Sequence, residues 1–165
     1  MDILNIILGN LCTLLAMGTD SLSATQKTTT RVLWVQNISQ LLYCGSAIFL
    51  RGYSAAAQNI ASIVRNLVAI KQVDSKVVQW FLVIFGAILG LCLNNLGWVG
   101  LIPVIANLQY TLVIFQFQNN DKALKISFLI SALMFTFFSL TIYNFVGVVT
   151  NFVVAITTAI SLFKR

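Results

Sequence analysis

The chain has no histidine, one proline, and only four acidic side chains, Asp2, Asp20, Asp74 and Asp121. Its three cysteines, Cys12, Cys44 and Cys92, fall in separate apolar segments with no paired spacing. A zinc or haem site is therefore not expected, and the cysteines read as small apolar helix residues. No glycine-rich phosphate loop, nucleophile–base pair or carboxylate pair occurs, so neither catalysis nor a bound cofactor is expected. Charge is scarce as well. Only 8% of residues are charged, where a soluble domain carries roughly a quarter.

What is present is apolar: 59% of the residues are hydrophobic and the mean hydropathy is +0.92. This is the composition of an integral membrane protein, read as a single domain over 1–165. The net charge of +6 sits in short loops, where it acts as a topology signal and not as a nucleic-acid patch. The first apolar run follows Asp2 instead of a basic segment and precedes no small-x-small cleavage site. It is expected to remain as a helix and not to be cleaved as a signal peptide.

Apolar runs separated by polar breaks give seven helices at about 3–19, 31–50, 54–71, 77–95, 98–117, 123–141 and 144–163. Each is long enough to cross a hydrocarbon core of roughly 30 Å. Arg51-Gly52-Tyr53 and Asn94-Asn95-Leu96-Gly97 carry turn signals, and 20–30 is a longer Ser/Thr-rich loop. With seven spans, alternate loops separate the cations. Lys27, Arg31, Lys71, Lys76, Lys122, Lys125, Lys164 and Arg165 share one side and Arg51 is alone on the other. The positive-inside rule then places the C-terminus in the cytoplasm and the N-terminus outside.

An odd number of spans suggests two parallel three-helix repeats, about 3–71 and 98–163, with an inverting helix at about 77–95 between them. Sliding the chain by 92 residues pairs Ile38 with Ile130, Ser39 with Ser131, Leu41 with Leu133 and Asn59 with Asn151.

Polar residues inside the spans are the candidate site. At 1.5 Å of rise per residue, Asn59, Asn151, Asn10 and Asn107 fall about 15–20 Å deep. Amides supply donors and an acceptor that suit a neutral polar solute; the competing reading is interhelical hydrogen bonding. A second layer, nearer the cytoplasm, holds Gln36, Asn37 and Gln40 on span 2 and Arg65 and Asn66 on span 3. Arg65 is the only charge within a span, and a buried cation commonly marks a solute pathway. A gate or a latch on helix-end carbonyls is the favoured role for it, over direct substrate contact. Pro103 is expected to bend span 5 as a hinge or a static kink. Trp34, Trp80, Trp98 and Tyr53 read as interfacial residues.

Three stretches resemble the bacterial inner-membrane YgjV family: Gln40 to Lys71, with Gly52-Tyr53, Asn59 and Arg65-Asn66; Leu101-Ile102-Pro103-Val104-Ile105; and Thr150-Asn151-Phe152 with Leu162-Phe163. That family is grouped with the PQ-loop superfamily, which includes SWEET sugar transporters and PnuC-type vitamin transporters. The resemblance implies a SWEET-like plan of three plus one plus three helices. It implies further that Asn59 and Asn151 match the asparagines facing the sugar site in SWEET carriers. The chain departs from the pattern in having no Pro-Gln dipeptide, no proline in span 1, and a lone Trp80 where PnuC-type sites carry paired tryptophans.

The function expected is facilitated transport of a small polar, sugar- or vitamin-like metabolite across the bacterial inner membrane by alternating access. With every acid at a span end, no mid-membrane carboxylate is available for proton coupling. A non-transporting scaffold or receptor, and an anion-selective carrier using Arg65, are the alternatives. The expected partners are the solute and membrane lipids, without nucleic acid; a homo-oligomer is compatible with this reading.

Overall fold

The computed structural model describes residues 2–24, 26, 29–71, 73, 75–117 and 121–163. Among these residues the chain forms seven helices and no strand: α1 (Ile3–Ala24), α2 (Thr29–Phe49), α3 (Tyr53–Ile70), α4 (Lys76–Cys92), α5 (Leu101–Gln116), α6 (Asp121–Thr141) and α7 (Phe145–Phe163). The expected helix at 3–19 runs five residues further. Asp20, expected at the start of a loop, lies inside α1 and accepts a hydrogen bond from the Tyr43 hydroxyl at 3.1 Å. The helices expected at 77–95 and 98–117 part earlier and start later than their hydropathy suggests. Asn94 accepts the Leu96 N–H in an Asx-type turn, and Gly97 takes a positive φ of 57°, so 93–100 is a loop.

By length and hydropathy, Ile3–Leu22 and Lys122–Thr141 qualify as membrane-crossing helices, and Lys76–Cys92, Leu101–Val113 and Phe145–Ile160 are shorter apolar ones. The interior inverts the soluble pattern. Buried positions are dominated by small and polar side chains, such as Ala16, Ala57, Thr13, Ser39, Ser46 and Ser131, while most large apolar side chains face outward. Small residues let helix backbones approach closely, and hydroxyls and amides bond between helices, as in bilayers.

Consecutive helices pack antiparallel, as where Thr13 bonds Ser46 at 2.7 Å and Thr19 bonds Ser39 at 2.7 Å. Two further contacts, α1 with α7 and α3 with α5, close a ring in the order α1, α2, α3, α5, α6, α7. Among the described residues no helix pair makes backbone contact across the ring, and α4 lies outside it against α3 and α5.

The turns after α2 and after α6 share one backbone design. Arg51 and Tyr143, 92 residues apart, have φ of 57° and 60°. Gly52 N–H donates to Ala47 C=O at 2.7 Å, and Asn144 N–H donates to Ser139 C=O at 2.9 Å. These are Schellman closures with a non-glycine residue in the left-handed position, a conformation that costs about 1 kcal/mol. An asparagine amide steadies each one. Asn95 donates to Arg51 C=O at 2.8 Å and accepts the Tyr53 N–H. Asn10 donates to Tyr143 C=O at 2.9 Å and accepts the Val146 N–H at 2.9 Å. Both turns lie at one end of the ring, and Arg51 is the cation among them. Arg31, Lys71, Lys76, Lys122 and Lys125 lie at the other end; Lys27, Lys164 and Arg165 fall outside the described residues.

Candidate functional site

At the Arg51 end the ring is filled. Ala47 of α2 with Leu50 just after it, Ala55 and Ala56 of α3, and Phe138 of α6 with Ile142 just after it form one buried cluster. Gly52 admits the Phe138 ring, since a Cβ there would lie 3.1 Å from its Cζ. Toward the basic end the inner faces turn polar. On α2 the apolar outer stripe is Trp34, Ile38, Leu41 and Ile48. Helical spacing puts Gln36, Gln40 and Tyr43 opposite that stripe, toward the ring centre.

The four asparagines expected near mid-depth are not gathered into one site. Asn10 spends its amide on the α6–α7 turn. Asn107 of α5 donates to Gln58 Oε1 at 2.7 Å, and Gln58, 2% exposed, donates to Gly86 C=O of α4 at 2.8 Å. That relay joins α3, α4 and α5 and was not legible from spacing, because Gln58 reads as one more polar residue beside Asn59. Asn151 of α7 donates only to Gly147 C=O of its own helix at 2.8 Å, and Asn59 has no side-chain hydrogen bond among the described residues. Both are half-buried, on helices that do not touch. Asn59 keeps its whole amide and Asn151 keeps all but one donor, whereas Asn10 has used both its oxygen and its nitrogen.

The second layer is less satisfied. Asn66 donates to Asn37 Oδ1 at 3.0 Å, whereas the buried Asn37 Nδ2 finds no acceptor. Gln36 and Gln40 are half-buried without side-chain partners among the described residues. Arg65 takes no helix-end carbonyl and no carboxylate among them either; its electrostatic neighbour is Tyr110 of α5. The latch expected on carbonyls is thus not formed.

Pro103 lies in the first turn of α5, fully buried. Its missing N–H would have had no intrahelical acceptor there, so the proline is accommodated in the first turn without breaking an α-helical hydrogen bond. Further toward the Arg51 end, Asn144 caps α7 by accepting the Gly147 N–H at 2.8 Å and donates to Thr13, which bonds Ser46. Thr13, Ser46 and Asn144 thereby link α1, α2 and α7. Among the described residues no three His, Cys, Asp or Glu side chains come together to hold a metal.

No curated protein and no solved structure matches the chain. A family model does, over residues 7–165, and it is described as a bacterial inner membrane protein. That match spans nearly the whole ring: the chain belongs to the bacterial inner membrane protein family Imp-YgjV.

Proposed function

We propose that this inner membrane protein crosses the bilayer seven times and carries a small polar solute by facilitated diffusion with alternating access. The observation that carries the reading is a six-helix ring, plugged at one end and lined toward the other by polar side chains without partners. A buried cluster around Leu50, Phe138 and Ile142 at the Arg51 end, with the polar inner faces toward the basic end, fits a carrier that opens inward, given a basic end in the cytoplasm. The large apolar side chains on the outside and the small residues within suit a lipid surround.

The ring order and the paired turns support, as part of the same reading, a plan of two parallel repeats. Exchanging α1, α2 and α3 for α5, α6 and α7 leaves the neighbour relations of the ring unchanged, and the two Schellman turns superpose on the 92-residue offset. A pseudo-symmetric pair of bundles can rock about a central site. Asn59 and Asn151 occupy equivalent places in the two repeats and retain free amide capacity.

The test is solvent access. In a variant with Cys12, Cys44 and Cys92 replaced, Gln40→Cys is expected to react with a membrane-impermeant maleimide applied from the cytoplasmic side. Leu41→Cys, on the outer stripe, is expected to stay protected in the bilayer. A Gln40→Cys that reacts from neither side would refute the open pathway and favour a scaffold or receptor whose polar faces seal together.

A further inference from the structure

We infer that the solute is a small flat organic anion, its carboxylate gripped by Arg65 and its apolar body laid against Tyr110 and Phe128. The inference rests on the transport reading above, and names the class of solute.

Three independent features converge. Arg65, on an inner turn of α3, has no counter-ion or carbonyl among the described residues. Asp20, the acid within α1, is engaged by Tyr43. The half-buried Arg65 guanidinium keeps its donors unspent, and its planar fork matches a carboxylate bidentately.

The second feature is aromatic. Tyr110, beside Arg65, meets Phe128 of α6 at 5.7 Å between ring centroids with a 47° tilt. Phe128 does not belong to the outer stripe of α6, which runs through Ile126, Ile130, Leu133, Phe137 and Leu140, yet it is 41% exposed. Helical spacing turns it toward α5 and the ring centre, where it meets Tyr110. On the repeat offset Phe128 corresponds to Gln36. One wall of the pathway is therefore amide, and the facing wall is aromatic.

The third is a stranded donor. Asn37, only 5% exposed, has an Nδ2 without an acceptor, while its Oδ1 is held by Asn66 of α3. Guanidinium, unpaired amide and phenol all donate, and the Asp20 carboxylate is already held by Tyr43. A neutral solute would leave this donor excess unmatched; an anion supplies acceptors.

The probe is benzoate, with acetate and the neutral benzamide as controls, read by thermal stabilisation of the purified protein in detergent. Benzoate is expected to stabilise the wild type, acetate to bind about threefold to tenfold more weakly for want of the ring contact, and benzamide not to register. Arg65→Gln is expected to weaken benzoate binding at least about tenfold. Arg65→Lys should fall between, and Phe128→Leu should weaken benzoate but not acetate. If Arg65→Gln fails to fold, Arg65→Lys and the benzoate–benzamide comparison still decide the matter. Benzamide binding as tightly as benzoate, or equal benzoate affinity in wild type and Arg65→Gln, would overturn the inference. Benzoate binding without uptake into proteoliposomes would uphold the ligand class and overturn transport. Uptake of neutral solutes with no anion binding would do the reverse.

Discussion

Replacing Gly90 by alanine is a sharp test of how the ring is closed on the α4 side. A Cβ at Gly90 would lie 2.2 Å from Gln58 Nε2 and 2.7 Å from Val104 Cγ2. The Gln58 amide would have to move, breaking its 2.8 Å bond to Gly86 C=O and disturbing the 2.7 Å bond from Asn107. Overpacking of this kind costs about 1–3 kcal/mol, and a stranded buried amide about 1–3 kcal/mol more. The helix propensity gained on replacing glycine returns about 1 kcal/mol. The net expectation is a loss of about 3 kcal/mol, measured by reversible SDS titration in mixed micelles. Gly18→Ala is the internal control: a Cβ there meets nothing within 4 Å, so only the propensity gain remains and stability should rise by up to about 1 kcal/mol. The cycle with Gln58→Ala isolates the amide's share, because Gly90→Ala should cost less once the amide is gone and only the Val104 contact remains. Equal losses in both backgrounds, or a Gly90→Ala as stable as wild type, would refute the packing argument.

The paired turns should respond alike: Asn10→Ala and Asn95→Ala each remove an amide holding a left-handed residue. Each is expected to lower stability by about 1–2 kcal/mol in the same titration. Arg51→Gly and Tyr143→Gly relieve the backbone cost, and each should raise stability by up to about 1 kcal/mol. Thr13→Val leaves Ser46 and Asn144 without their shared partner and should cost about 1 kcal/mol, near the range seen for hydrogen bonds between membrane helices. In a transport assay, Asn59→Ala should slow uptake while leaving the unfolding midpoint unchanged, because its side chain bonds nothing among the described residues. A matching loss of stability would make it a structural residue.

Much of the helix plan was legible because apolar runs and turn dipeptides report directly on hydrogen-bonding opportunity. Arg51-Gly52-Tyr53 and Asn94 to Gly97 are breaks in both sequence and structure. The end of α1 was less legible: Asp20 and the Ser/Thr residues after it look like loop, but Tyr43 and Ser-lined neighbours make a helical position there tolerable. The repeated turn was nearly invisible in the letters. Arg51 and Tyr143 share a backbone conformation and not a side chain, and the amides that hold them come from α1 in one case and the α4–α5 loop in the other. The site was legible only as an inventory of polar residues. Spacing put Asn107 and Gln58 in spans without revealing that each satisfies the other, and it gave no sign that Arg65 would be left unpaired. Those are tertiary facts, set by which faces meet across helices far apart in sequence.

The Gln58 relay has a consequence for synthesis. Its acceptor at Gly86 lies 28 residues downstream and its donor at Asn107 lies 49 residues downstream. At about 5–20 residues per second, Gly86 is made about 1–3 s after the end of α3 and Asn107 about 2–7 s after it. During that interval it carries Gln58, Asn59, Arg65 and Asn66 with few bonds to spend them on. Such a segment has weak grounds to partition into lipid alone. On the seven-span proposal, release of α3 from the insertion machinery would be tied to the arrival of α4 and α5, and a ribosome pause between Gly86 and Asn107 would strand a half-made protein at its most vulnerable stage.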